Sequence, residues 1–389
     1  MFKELTIGIS ICIFTHHYRP QLSGIGNFVE GLAHALMARG DSVAVVTNDS
    51  MKIGTGVSIE NGIEIIRLPC NPLLNGRLPL PRKNAKYKRL LAELGKRKWD
   101  GVLVNTRLFP LSLEGLRFAK EQGLTAVVLD HGSAYLSFNQ PVLDFFVRRY
   151  EDAITAKVKS FDPVFYGISA KSVEWLRHFG IEAEGVISNS INADEYRSNA
   201  SERDYRAELA IPYDALMVAF VGRLIPEKGI KSLVEASCSD EIRSRGIVFV
   251  LAGDGPLAKY VEGATSHYLH WLGRCSVEDT SALLQQADVL CLPSRSEGFS
   301  TVLLEASASG TPSVVTDVGG AQELIPNDSH GFIINSAQAG DVIKALCRLN
   351  DDRELLGLQA ANCMALVEER YSWSETAVSV ETAIMTILR

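Results

Sequence analysis

The sequence predicts an α/β protein made of two doubly wound parallel-sheet domains in tandem. Three observations predict it. Short apolar runs alternate with helical patterns along the chain, which is the order of βαβ units. The runs are continuously apolar rather than alternating, as strands are when helices cover both faces of a sheet. The whole pattern then restarts after 188–213, a polar stretch poor in large apolar side chains.

In the first half, strands are expected at 5–14, 43–47, 63–68, 101–105, 125–130 and 164–168. Helices fit 25–39, 84–98, 111–121 and 141–157. In the second half, strands are expected at 216–221, 247–252, 268–272, 289–292, 313–316 and 331–334. Helices fit 228–237, 256–263, 276–286, 300–309, 338–348 and 351–370. The chain thus divides into an N-terminal domain over 1–189, a C-terminal domain over 190–370 and a last helix within 371–389. Chain order sends that helix back onto the first domain. Sheets of this kind bind ligands outside the carboxyl ends of their strands. With two of them, the expected site is the cleft where they face each other.

Composition narrows the class. Of 389 residues, 46% are hydrophobic and 22% charged, enough for buried cores in two domains. No stretch reaches the roughly 18 to 20 uninterrupted apolar residues of a membrane span. The run after Lys3 reads as a buried first strand rather than a leader. Glu4 stands where a leader is basic, and His16, His17, Tyr18 and Arg19 stand where it is cleaved. A cytoplasmic protein is expected. Seven cysteines, at 12, 70, 238, 275, 291, 347 and 363, show no C-x-x-C spacing. That argues against a disulfide framework or a zinc site and for a reducing compartment.

Charge is uneven. Residues 1–185 carry 23 Lys and Arg against 18 Asp and Glu, or +5; residues 186–389 carry 16 against 28, or −12. Arg77, Arg82, Lys83, Lys86, Lys88, Arg89, Lys96, Arg97 and Lys98 fall within 77–98, opposed by Glu93 and interleaved with Leu90, Leu91 and Leu94. This segment reads either as a solvated helix with one face on the core or as an amphipathic patch for anionic lipid. No nucleic-acid motif accompanies it, so a nucleic-acid partner is not expected.

The chemistry concentrates after the strand expected at 289–292. There the chain reads Pro293-Ser294-Arg295-Ser296-Glu297-Gly298-Phe299-Ser300-Thr301, then a helix that ends at Gly310 and Pro312. Gly298 allows a tight turn. Ser300 or Thr301 is expected to cap the helix. A helix N-terminus at a strand's carboxyl end suits a phosphate. Glu297 in the turn and Glu305 on the helix flank that point, and a carboxylate suits adjacent sugar or ribose hydroxyls. Earlier in the chain, Arg223 and Lys228 follow a strand five positions apart, two cations fit to neutralise a diphosphate.

The segment from Leu290 to Ile325 resembles the signature of glycosyltransferase family 4, two glutamates separated by seven residues. Ser309-Gly310-Thr311-Pro312, Gly319-Gly320 and Glu323-Leu324-Ile325 extend the match. So do Val221-Gly222-Arg223-Leu224-Ile225-Pro226-Glu227-Lys228-Gly229, Ala252-Gly253-Asp254-Gly255-Pro256-Leu257 and Leu272-Gly273-Arg274. The resemblance implies a GT-B fold and a retaining transferase, also called group 1. It implies that Glu297 contacts the donor sugar and Glu305 the ribose. The amides of Phe299 and Ser300 would hold the distal phosphate, with Thr301 beside them. Arg223 and Lys228 would hold the diphosphate, the segment at Arg274 would meet the nucleobase, mainly through backbone, and Gly255 would lie in a further donor-binding loop.

In the first half, Gly24 and Gly26 open the helix expected at 25–39, where the family approaches donor phosphate or acceptor. With Asp49 they imitate a dinucleotide fingerprint, but they trail the strand by about ten residues and Val29 holds the third glycine's place. Asp130-His131-Gly132 ends a strand, and the resemblance places a functional histidine near His131; a structural histidine is the other reading. His16 and His17 also follow a strand, as structural or as functional groups. Two turns depart from the family: Gly40-Asp41 stands where Gly-His is usual, and Asn189-Ser190 where Asn-Gly is usual.

The expected function is transfer of a hexose or N-acetylhexosamine from a nucleotide sugar, UDP favoured, to a saccharide or lipid-linked saccharide acceptor. The setting would be surface polysaccharide assembly, such as capsule, O-antigen (lipopolysaccharide) or exopolysaccharide. No Asp-x-Asp triplet occurs, so no metal or other cofactor is expected. The chain would sit in the cytoplasm, peripherally on the plasma membrane through 77–98. Two other readings are a nucleotide-sugar epimerase of the same fold and a non-catalytic sugar-nucleotide binding protein.

Overall fold

The computed structural model describes residues 8–21, 24–73, 76, 78–136 and 140–388. Two units divide the chain: Met1–Asn189 with Trp373–Arg389, and Ser190–Ser372.

The first unit is built on an eight-stranded sheet. Its strands are β1 (Ser10–Phe14), β2 (Ser42–Asn48), β3 (Gly56–Glu60), β4 (Ile63–Leu68), β7 (Gly101–Asn105), β8 (Val127–Asp130), β9 (Val164–Gly167) and β10 (Gly185–Val186). A separate hairpin pairs β5 (Cys70–Leu73) with β6 (Leu78–Pro81). The sheet order is β10-β9-β8-β7-β1-β2-β4-β3, parallel except for β3 against β4. Strands β1, β7 and β2 form the centre, with Phe14 opposite Val46 on one side and Val104 on the other. Every residue of β7 is buried, as a central strand covered on both faces requires, and its apolar run ends at the polar Asn105.

Several short elements fall outside the expected set, among them the helices Ala170–Arg177, Asp240–Ser244 and Ala321–Leu324 and the strand Gly185–Val186. Strand β3 alternates half-buried and exposed residues and is bracketed by Gly54, Gly56 and Gly62, so it lacks the apolar run that marks its neighbours. The β5–β6 hairpin contains Pro72, Pro79 and Pro81 and resembles a loop in composition. The polar stretch 188–213 holds two short helices, Ala193–Ser198 and Tyr205–Glu208. Asn192 and Asp204 cap them by accepting from the amides of Glu195 (3.3 Å) and Ala207 (3.0 Å).

The terminal helix Trp373–Leu388 belongs to the first unit. The helix Gly24–Ala38 makes room for it at Gly31, where a Cβ would stand 2.4 Å from the Trp373 ring. Arg39 donates to both carboxylate oxygens of Glu381 at 2.6 and 2.9 Å, and Ile384 packs on Gly101. The departure at Asp41 has its own use. Its Oδ1 accepts from the amide of Ile9 (2.9 Å) beside β1, and burial raises its carboxyl to about 6.

The basic segment is a helix over Ala85–Gly95. Tyr87, Leu90 and Leu94 are buried on the core, with Leu91 packed beside them, while Lys86, Lys88, Arg89, Lys96, Arg97 and Lys98 are exposed. Its leucines are therefore spent on the core and offer no apolar face to lipid. Arg77 lies outside the described residues, as do 5–7 of the first expected strand.

The second unit is a six-stranded parallel sheet: β11 (Met217–Val221), β12 (Val248–Ala252), β13 (Leu269–Gly273), β14 (Val289–Leu292), β15 (Ser313–Thr316) and β16 (Gly331–Ile334). Their order, β13-β12-β11-β14-β15-β16, reverses direction between β11 and β14, the place where doubly wound sheets open a ligand crevice. All six strands fall where the sequence places them, and a helix occupies each of the six expected helical segments, the one expected at 256–263 shortened to Ala258–Glu262. The helix expected at 228–237 is split by Gly229 into a 3-10 turn, Pro226–Lys228, and the helix Ile230–Ser237.

Candidate functional site

In the second unit, the carboxyl ends of five adjacent strands set out one row of loops. Gly253 donates to the Gly273 carbonyl (2.7 Å), Gly222 to Ala252 (3.0 Å) and Leu224 to Asp254 (2.9 Å). Arg274, Gly255 and Arg223 therefore stand on neighbouring loops after β13, β12 and β11. Arg295 donates to the Glu227 carbonyl at 2.7 Å, tying the loop after β14 to the one carrying Lys228. Thr316, at the end of β15, donates its hydroxyl to the Ser294 carbonyl.

Two glycines make these junctions possible. Gly229 has φ +71°, and a Cβ there would fall 2.2 Å from the Pro293 carbonyl oxygen. A Cβ on Gly255, at φ +158°, would fall 2.6 Å from the Leu224 oxygen. Any other residue would push the loops apart.

The centre of the row is an ion pair. The Lys228 ammonium is bonded to Glu297 Oε1, which also accepts from the Ser294 hydroxyl at 2.8 Å. Both charged groups are largely withdrawn from solvent, at 20% and 13% side-chain exposure, which strengthens their attraction. Arg223 and Arg274 are exposed, and neither guanidinium has a partner among the described residues.

The helix Thr301–Ala308 starts beside this pair. Ser300 holds the N-cap position in extended backbone, but neither its hydroxyl nor that of Thr301 caps the helix. The expected cap is absent, and the first-turn amides are left unspent by side chains, which is the condition for taking an anion. Phe299 packs on Gly320, with its ring 6.4 Å from that of Tyr371. Glu305 is half-buried on this helix, with the Tyr196 hydroxyl beside it. Burial pushes its carboxyl up to about 7; the hydroxyl opposes the shift without cancelling it.

In the first unit, His131 follows β8 and is half-buried. Its Nε2 donates to Asn105 Oδ1 at 3.0 Å, and Phe28 meets the ring edge-on at 5.2 Å. Burial lowers its pKa to about 4 against the opposing charge of Asp130, so the imidazole is neutral. Gly24 and Gly26 lie in the first turn of their helix, Gly24 exposed and Gly26 buried. His16 is buried, stacked on Phe109 at 3.5 Å, and His17 donates to the Gly76 carbonyl at 2.8 Å. Burial keeps both neutral.

Sequence reasoning missed the support under His131. Arg107 is fully buried and donates to Asp130 Oδ2 (2.7 Å) and Glu151 Oε1 (2.5 Å). Burial raises the Glu151 carboxyl, with Arg107 opposing. Thr106 sits at φ +63°, rare for a β-branched residue, and donates to Asp130 Oδ1 at 3.3 Å. Asn105-Thr106-Arg107 thus fixes Asp130-His131 from the neighbouring strand. A run of polar residues closing an apolar strand was the available signal. The Tyr196, Ser294 and Thr316 contacts were also missed; all three join residues distant in sequence or carry no motif.

Residues 201–362 match the family described as Glycosyl transferases group 1, and residues 22–195 match Glycosyltransferase Family 4. The chain belongs to the family 4, group 1 glycosyltransferases. It is 28% identical over 376 residues to the alpha-D-kanosaminyltransferase of Streptomyces kanamyceticus, covering 89% of this chain and 95% of that one. It is 32% identical over 200 residues to MJ1607, an uncharacterized glycosyltransferase of Methanocaldococcus jannaschii. That match covers 49% of this chain and spans about half, 51%, of the relative. Anabaena Alr3699/HepE, solved in complex with UDP-glucose, shares the fold at a TM-score of 0.69 and 18% identity, over 97% of this chain and 100% of that one. The chain has the GT-B fold of these glycosyltransferases.

Proposed function

We propose that this glycosyltransferase moves a hexose or N-acetylhexosamine from a nucleoside-diphosphate sugar to a lipid-linked saccharide, with retention at the anomeric carbon. The observation that carries the reading is the row of strand-end loops around Lys228 and Glu297, next to an uncapped helix N-terminus. Cations and free amides converge there on the space a diphosphate needs.

Lys228 and Arg223 take the diphosphate, and the amides of Phe299, Ser300 and Thr301 its distal phosphate. Glu305 accepts from the ribose hydroxyls, and the loops at Gly255 and Arg274 flank the nucleoside. When Lys228 turns to the phosphate, Glu297 is released to accept from the donor sugar's hydroxyls. Gly24 and Gly26 admit donor phosphate or acceptor, and neutral His131 hydrogen-bonds the hexose. The bond from the anomeric carbon to the diphosphate breaks as the acceptor oxygen bonds on the same face. The acceptor's proton passes to the departing phosphate. Charge building on that phosphate is met by Arg223, Lys228 and the helix dipole, so the step runs without a metal.

UDP is the favoured nucleotide, in line with the UDP-glucose bound to the fold neighbour from Anabaena. The work would be done at the cytoplasmic face of a membrane, in surface polysaccharide assembly. The test incubates the full chain with UDP- and GDP-sugars and a membrane lipid extract, follows nucleoside diphosphate release, and reads the anomeric configuration by NMR. Lipid-dependent release from one donor, with retention, supports the reading. Inversion, or conversion of the donor to a free epimer without lipid, would overturn it.

A further inference from the structure

We propose that the exposed first half of the helix Pro141–Lys159 is a docking surface for an anionic lipid bilayer. The helix begins after the described residue Gln140, and its first ten residues are mostly outside the core. Val142 (73% exposed), Leu143, Phe145 (55%), Phe146 (63%) and Tyr150 all face solvent, with Leu136 shortly before them. Among the described residues, these are the only exposed phenylalanines. Scattered single apolar residues are normal on a surface; a cluster of aromatics on one helix marks an interaction site.

The charge around the cluster has one sign. Arg148 and Arg149 are exposed, the latter with its guanidinium 5.4 Å from the Phe145 ring centre. The carboxylates of the same stretch are withdrawn. Asp144 and Glu151 are buried, and Asp152 accepts the Tyr135 hydroxyl at 2.7 Å. The helix Pro110–Glu121 packs against Pro141–Lys159 and also against the basic segment, through Lys83 on Glu114 (2.6 Å) and Gln122 on the Gly95 carbonyl (3.1 Å). One helical layer therefore presents apolar side chains at 142–150 and exposed cations at Arg82, Lys86, Lys88 and Arg89.

A bilayer fits this combination. Its interface takes the apolar side chains, while its phosphates meet the arginines and lysines. A second copy of the chain would bring the same positive layer and be repelled. The segment 77–98 supplies charge but has its leucines in the core, so the aromatic helix provides the anchor it lacks. Docking there extends the reading of a lipid-linked acceptor, and the two can fail separately.

The test is flotation of the full chain with phosphatidylcholine vesicles, with and without phosphatidylglycerol, at low and high salt. UDP titration is run on the same samples. The wild type is expected to float with the anionic vesicles and to be released by salt. Val142→Ser/Phe145→Ser/Phe146→Ser changes exposed side chains only and should weaken flotation roughly tenfold or more, with UDP affinity unchanged. Arg148→Glu/Arg149→Glu should abolish the preference for anionic vesicles. The proposal is overturned if the wild type floats with neither vesicle, or if the triple variant floats like the wild type. It is also overturned if the triple variant instead loses a concentration-dependent dimer. Unchanged vesicle binding in a chain that binds no nucleotide would leave the docking surface standing and remove the proposed nucleoside-diphosphate donor site.

Discussion

Replacing Glu305 with Gln should stabilise the second unit at alkaline pH and not at acidic pH. Glu305 lies half-buried on the helix Thr301–Ala308, with its carboxyl raised from 4.5 to about 7, mainly by burial. A raised carboxyl means that the folded chain holds a proton the unfolded chain has released. Stability from this group is therefore intact below about 4.5, falls as pH rises from there to about 7, and stays lost above. The shift corresponds to about 3 kcal/mol. Glutamine imitates the protonated acid and does not titrate. The stability gap between variant and wild type should be near zero at pH 4.5 and approach about 3 kcal/mol at pH 8, measured by urea unfolding at matched ionic strength. In thermal melts that is about 2–4 °C per kcal/mol for a unit of this size. The same variant should bind UDP roughly tenfold more weakly, because the ribose loses a charged acceptor. A stability gap that is equal at pH 5 and pH 8 would refute the assignment of Glu305 as a buried, ionised group held for its ligand.

His131→Ala should cut turnover by about a hundredfold while leaving UDP affinity unchanged. The pKa of His131, lowered to about 4, implies that wild-type kcat shows no step near pH 6.5 from this residue; a step lost in the variant would contradict its neutrality. Arg107→Met leaves Asp130 and Glu151 buried without their cation, and should lower stability by roughly 3–5 kcal/mol in urea titrations. A loss below 1 kcal/mol would mean that the three groups do not act as one network. Gly31→Ala drives a methyl into the Trp373 ring and should destabilise the first unit by about 1–3 kcal/mol. Limited proteolysis should then cut the terminal helix first.

How much was legible depends on the reach of each signal. Strands such as Val289–Leu292 announce themselves because four buried apolar residues in a row suit a sheet covered on both faces. Strand Gly56–Glu60 does not, since an edge strand with exposed Val57 and Ile59 among glycines looks like a loop. Glu297 and Glu305 were legible because both lie within one strand–turn–helix unit. The bond from Lys228 to Glu297 was not, since 69 positions separate them and only the sheet's reversal brings β11 beside β14. Arg107 was passed over because a single arginine after a strand has no periodicity to mark it. The basic segment was ambiguous for the opposite reason: Leu90 and Leu94 fit a core face and a lipid face equally, and the sheet beneath decides for the core.

The most direct measurement is calorimetric titration of the full chain with UDP and with GDP, repeated on Arg223→Ala and Lys228→Ala. One nucleotide should bind the wild type and bind each variant about 10- to 100-fold more weakly, as charge-assisted phosphate contacts are lost. A wild type that binds neither nucleotide, or variants that bind like the wild type, would contradict the assignment of these strand-end loops as the donor site.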